Sequence, residues 1–104
     1  MFLAIHIPES IFMKIKEIQQ ILEEIAPPAL QESYDNIGLL LGDPEAELEG
    51  VLTTLDVTME VIEEAIEKKC NLIICHHPVI FGGLKKLTGA NYTERIVMSA
   101  IKNG

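Results

Sequence analysis

Apolar residues recur at Ile15, Ile18, Ile21, Leu22 and Ile25, with Lys, Glu and Gln between them. That spacing predicts an amphipathic helix over Lys14 to Ile25, ended by Pro27 and Pro28. The next apolar run, Leu39 to Leu41, lies between Gly38 and Gly42-Asp43-Pro44 and reads as a short buried strand. "EAELEG" follows as an acidic turn. The pattern then changes. "VLTTLD", residues 51–56, reads as a strand whose end is marked by Asp56. Thr58 suits an N-cap, and Met59 to Lys69 has helical spacing with Val61, Ile62, Ala65 and Ile66 facing inward. Glu60, Glu63 and Glu64 toward its start and Lys68 and Lys69 toward its end match the helix dipole. "LIIC", residues 72–75, is apolar on both faces, as in a parallel strand covered by helices. The stretch between the two strands is long enough for a parallel crossover. A glycine-bearing loop with Gly82, Gly83 and Gly89 leads to a last helix, Glu94 to Lys102, with Ile96, Val97, Ala100 and Ile101 inside. Asn103-Gly104 stops it. The class is α/β, a parallel βαβ core flanked by helices.

Residues 1–12 stand apart from this pattern and form an N-terminal extension to a domain spanning 13–104. Two readings of "FLAIHI" remain open. Met13 is the natural start and the first residues come from an upstream start, or the segment is a strand or arm that pairs with a sheet edge. His6 belongs to a mobile or edge segment and is not expected to be a ligand. Pro8 and Glu9 interrupt the apolar stretch, and no basic region precedes it, so it does not read as a signal peptide. After the last helix an alternating α/β chain would add another strand. The sequence therefore reads as the N-terminal part of a larger, apparently truncated domain.

Composition narrows the partners. Apolar residues make up 48% of the 104, which excludes a disordered, highly charged chain. No apolar run approaches the ~20 residues of a membrane span. The formal charge is -8, and Arg95 is the only arginine. Phosphate neutralisation needs clustered basic residues, so no nucleic acid is expected. A small-molecule substrate or a metal cation fits the charge better. Cys70 and Cys75 read as free, packed thiols, which suits a reducing, cytoplasmic location.

The candidate chemistry lies in "CHHP". In open α/β sheets, ligands bind beyond the carboxyl ends of the strands. Asp56 ends one strand of the βαβ unit and His76 and His77 end the next, so a carboxylate and two imidazoles reach the same edge. Successive strand residues point to opposite faces. The two histidines can share a site if the chain bends there, or if each binds a different ion of a pair. Pro78 holds His77 extended and ends the regular ladder. A plainer reading is that both are hydrogen-bonded structural histidines. Two ligands are also fewer than the three protein ligands usual for catalytic zinc. Cys75 points away as core. Asp35 has a plain reading as a turn residue bonded to its own backbone, and Tyr34 as packing.

"SYDNIGLLLGD" followed by "TLDVTMEVIEEAIEKKCNLIICHHPVIF" resembles the N-terminal part of the Nif-three-like dinuclear-metal proteins, called GTP cyclohydrolase I type 2 homologues. The resemblance covers roughly residues 13–104. It implies a partial Nif-three-like α/β domain and, in full-length members, a ring-shaped homo-oligomer, a hexamer. It implies two divalent ions, zinc, manganese or iron, with His76 and His77 matching the family's two N-terminal metal-binding histidines. Asp35 and Asp56 match positions near the site and are not carried over as ligands. The family's other ligands, an Asp on the next strand and a His and a Glu near the far C-terminus, fall beyond Gly104. The implied function is metal-dependent hydrolysis of a C–N or phosphoester bond. The alternative is a non-enzymatic metal-binding scaffold or regulatory module.

Overall fold

The computed structural model of the chain describes residues 2–25, 38–80 and 83–104. Its elements run β1 (Phe2–His6), α1 (Ile15–Ile25), β2 (Gly50–Thr54), α2 (Met59–Glu67), β3 (Leu72–Cys75) and α3 (Tyr92–Asn103). The strands form one sheet in the order β1-β2-β3. β2 and β3 are parallel, with Val51 opposite Leu72 and Thr54 opposite Cys75. The expected βαβ unit is therefore present, with α2 as its crossover.

β2 is central and builds a core on each face, because neighbouring strand residues point in opposite directions. Leu52, with 0% exposure, packs with Val61 and Ala65 of α2 and with Cys70, and Ala4 and Ile73 flank them. Val51 on the other face packs with Ile15 at the start of α1 and with Leu48, joined by Ile18, Leu72 and Ile74. Each fully buried aliphatic side chain contributes about 1.5–3 kcal/mol by leaving water. Helix therefore covers both faces of the β2–β3 pair, which explains the unbroken apolar run of "LIIC".

Thr58 caps α2 as its sequence position suggests: its hydroxyl oxygen accepts from the backbone N–H of Val61 at 3.2 Å. The helix ends at Glu67, sooner than the spacing predicts. Lys69 takes a left-handed backbone with φ 57°, and Cys70 N–H closes the end on Ala65 O at 2.8 Å. Lys68 and Lys69 thus lie past the helix, although Lys68 still reaches back to Glu64 at 2.7 Å. α3 starts before Glu94, because the Asn91 side chain accepts from Glu94 N–H at 2.9 Å and acts as the cap.

The strand expected at Leu39 to Leu41 does not form. The segment is irregular, and the glycines on either side, Gly38 and Gly42, have φ 88° and 110°. Leu39 packs against the Val51 cluster. All three leucines are half-buried without forming a strand, and a short apolar run does not distinguish the two cases. The predicted helix stop at Pro27 and Pro28 falls outside the described residues.

The edge pairing read for "FLAIHI" is present as a strand. β1 pairs antiparallel with β2 over its full length, Phe2 opposite Thr54 and His6 opposite Gly50. Ala4 faces the Leu52 core, while Leu3 and Ile5 on the other face remain 60% and 48% exposed. The junction is tight at Gly50. A Cβ there would sit 3.1 Å from Cys70 Sγ and 3.2 Å from Ile5 O, so a hydrogen is what fits. Asn71 ties the strand starts together: its amide donates to Glu47 O at 2.7 Å and its carbonyl accepts from Glu49 N–H at 2.8 Å.

Candidate functional site

Past the end of β3, two backbone hydrogen bonds still tie the chain to the end of β2. His76 N–H donates to Thr54 O at 3.2 Å and His77 N–H to Leu55 O at 3.0 Å. Both histidines are therefore held by backbone to the outgoing end of β2. Straight strand geometry would point their side chains apart. Instead the ring centroids lie 4.8 Å apart with the planes tilted 59°. The chain bends here, the first of the two ways in which adjacent imidazoles can share one site.

Asp56 leaves β2 beside them. Its Oδ1 lies 2.6 Å from His77 Nδ1, with the two side chains 59% and 51% exposed. The Thr54 hydroxyl donates to the Asp56 carbonyl at 2.9 Å and holds the turn that presents the carboxylate. A cleft of about 200 Å³ opens next to the pair, lined by Asp56, His77, Pro78, Val79 and, from α3, Tyr92 and Ile96. The Tyr92 hydroxyl accepts from Met59 N–H at 3.0 Å, which fixes the start of α2 against α3 beside this cleft.

The sequence expectation of one carboxylate and two imidazoles at one edge matches the placement of Asp56, His76 and His77. Asp35 and Tyr34 lie outside the described residues. Cys75 is half-buried; burial pushes its thiol up, and the Asp56 carboxylate adds to this. Cys70 is buried, and burial pushes its thiol up as well. Both are free thiols. His6 lies at the other end of the sheet, where its Nε2 donates to Lys68 O at 2.6 Å. Among the described residues, no three or more His, Cys, Asp and Glu side chains converge as a cage for a metal ion. A larger cleft of about 610 Å³ lies at that opposite end, between residues 7–12 and the end of α2, away from both site histidines. Sequence reasoning did not single out Tyr92 or Thr54. Tyr92 reads as loop until Asn91 is recognised as a cap.

Residues 13–104 match the family model described as Duf34/NIF3 (NGG1p interacting factor 3). The chain belongs to this family. It is 44% identical over 91 residues to a Clostridium acetobutylicum protein named GTP cyclohydrolase 1 type 2 homolog, a match that covers 88% of this chain and 34% of that protein. Among solved structures, it is similar to a Staphylococcus aureus protein at 48% identity and TM-score 0.81, covering 86% of this chain and 26% of the other. A Bacillus cereus protein related to NIF3 gives 38% identity and TM-score 0.81, covering 88% and 26%. The chain thus spans about a third or less of the length of these Duf34/NIF3 relatives. No helix among the described residues is long and apolar enough to cross a membrane.

Proposed function

We propose that His76 and His77 are the contribution of this chain to a dinuclear divalent-metal centre, and that the complete protein is a metal-dependent hydrolase. The observation that carries the reading is the pair of imidazoles side by side past β3, with Asp56 against one of them. Two imidazoles are donors suited to zinc, manganese or iron. They fit part of a site, since catalytic zinc usually has three protein ligands. The remaining donors would come from the part of the longer relatives that this chain does not span. A bound divalent ion supplies Lewis acidity and lowers the pKa of water. The chain's own residues hold and orient. The strand ends fix both histidine backbones, Asp56 holds one ring, and the cleft walled by Val79, Tyr92 and Ile96 offers an apolar surface beside His77.

The proposal extends to a small-molecule substrate, a ring-shaped homo-oligomer and a cytoplasmic location. The name of the Clostridium relative supports a hydrolytic reaction at a nucleotide-like substrate. The test is turnover by a metal-loaded full-length relative against a panel of nucleotides, cyclic amides and phosphoesters. Turnover that is lost on chelation and restored by the metal is expected. Metal binding without turnover across the panel would favour the non-enzymatic scaffold.

A further inference from the structure

The contact between Asp56 and His77 determines where the proton of this imidazole sits. An ionised carboxylate only accepts hydrogen bonds. At 2.6 Å from Asp56 Oδ1, His77 Nδ1 must therefore carry the hydrogen. A neutral imidazole with a proton on Nδ1 keeps its lone pair on Nε2. The contact is built rather than incidental. His77 N–H is bonded to Leu55 O, next to Asp56, and the Thr54 hydroxyl holds the Asp56 carbonyl from the other side. Pro78 further restricts the His77 backbone. His76 differs: among the described residues its ring has no hydrogen-bond partner, only the tilted contact with His77.

We propose that Asp56 is a positioning residue that locks His77 in the Nδ1-protonated tautomer and leaves Nε2 as its donor atom for a divalent cation. The cation part rests on the metal-binding reading above; the tautomer does not. Such outer carboxylates raise the basicity of the ligating nitrogen, and their removal typically lowers metal affinity about 10–100-fold. Asp56 thereby acts through His77 without needing to be a ligand. It also makes the two histidines unequal: the His77 ring is held by a carboxylate, and among the described residues the His76 ring has no such partner.

The test uses the metal-free chain labelled with ¹⁵N, with long-range ¹H–¹⁵N correlations of the histidine rings at about pH 8, above the ordinary imidazole range. His77 is expected to be protonated at Nδ1, and Asp56→Ala to return it to the mixture of tautomers seen in free histidine, with His76 unchanged. Zinc titration of the same two proteins is expected to show about tenfold or more weaker binding in the variant. A wild-type His77 protonated at Nε2 overturns the proposal whether or not the variant folds. So does a His77 tautomer that Asp56→Ala leaves unmoved. If the tautomer shifts as expected but Asp56→Ala binds zinc as tightly as wild type, the positioning of His77 by Asp56 stands and its effect on metal affinity is overturned.

Discussion

β2 has two neighbours of different character. β3, on one side, is parallel, lies inside the family match, and has apolar residues serving both faces of the sheet. β1, on the other, is antiparallel, lies outside the match, and leaves Leu3 and Ile5 largely open to solvent. Each flank also carries a histidine with a fixed ring. His6 Nε2 donates to a backbone carbonyl, and His77 Nδ1 donates to a carboxylate. Both rings are locked, but at opposite nitrogens and by partners of different charge. Either partner fixes a ring and raises the basicity of its other nitrogen, and a charged carboxylate does so more strongly than a neutral carbonyl. The β1 side is therefore a structural edge, and the β3 side is the one that carries the proposed metal site.

The largest effect should come from the strand both flanks share. Leu52→Ala removes a side chain packed between α2 and both neighbouring strands, and should cost about 2–5 kcal/mol in urea unfolding. A loss well under that range would mean that β2 is not the centre of the core. Removal of residues 1–12, leaving Met13 first, should cost less, about 1–3 kcal/mol, since edge hydrogen bonds are partly offset by the entropy of ordering five residues. Amide exchange should then rise along β2 while the His77 ring signals stay in place. If the site signals are lost with β1, the two flanks are one unit and the contrast fails.

The smallest effect concerns pH. Glu94 accepts from Thr88 N–H at 2.9 Å, and this backbone bond, with others from the same loop, holds its carboxyl below the usual range. Its contribution to stability is therefore fully present above the unfolded value of about 4.3 and is lost as pH falls through the lower folded value. Glu94→Gln should be less stable than wild type at neutral pH, and the two should converge in acid. Urea midpoints across that range check this. Parallel curves at all pH values would contradict it.

How much of this was legible in sequence depends on the kind of signal. The βαβ unit is readable because its strands are apolar runs and its helix has a cap and a stripe. Placing Asp56, His76 and His77 at one edge follows from parallel pairing alone. The bend that brings the imidazoles together is set by hydrogen bonds from the His76 and His77 N–H groups to the Thr54 and Leu55 carbonyls, which no pattern displays. Leu39 to Leu41 misled because three leucines look alike in a strand and in a packed turn. The early end of α2 turns on one left-handed lysine, Lys69, where the usual marker would be glycine. "FLAIHI" was ambiguous because pairing with an edge leaves only half of a strand's apolar pattern buried. Asp35, the other flagged carboxylate, falls outside the described residues.

The central claim is that the β3 edge is a metal edge and the β1 edge is not. Zinc titration of this chain, followed by the ring nitrogens of all three histidines, puts both edges in one experiment. Saturable shifts at His76 and His77, with His6 unmoved, are the expected result, and His76→Ala or His77→Ala should abolish or weaken them tenfold or more, by about 1.4 kcal/mol at least. No shift at His76 and His77, or an equal shift at His6, would contradict it.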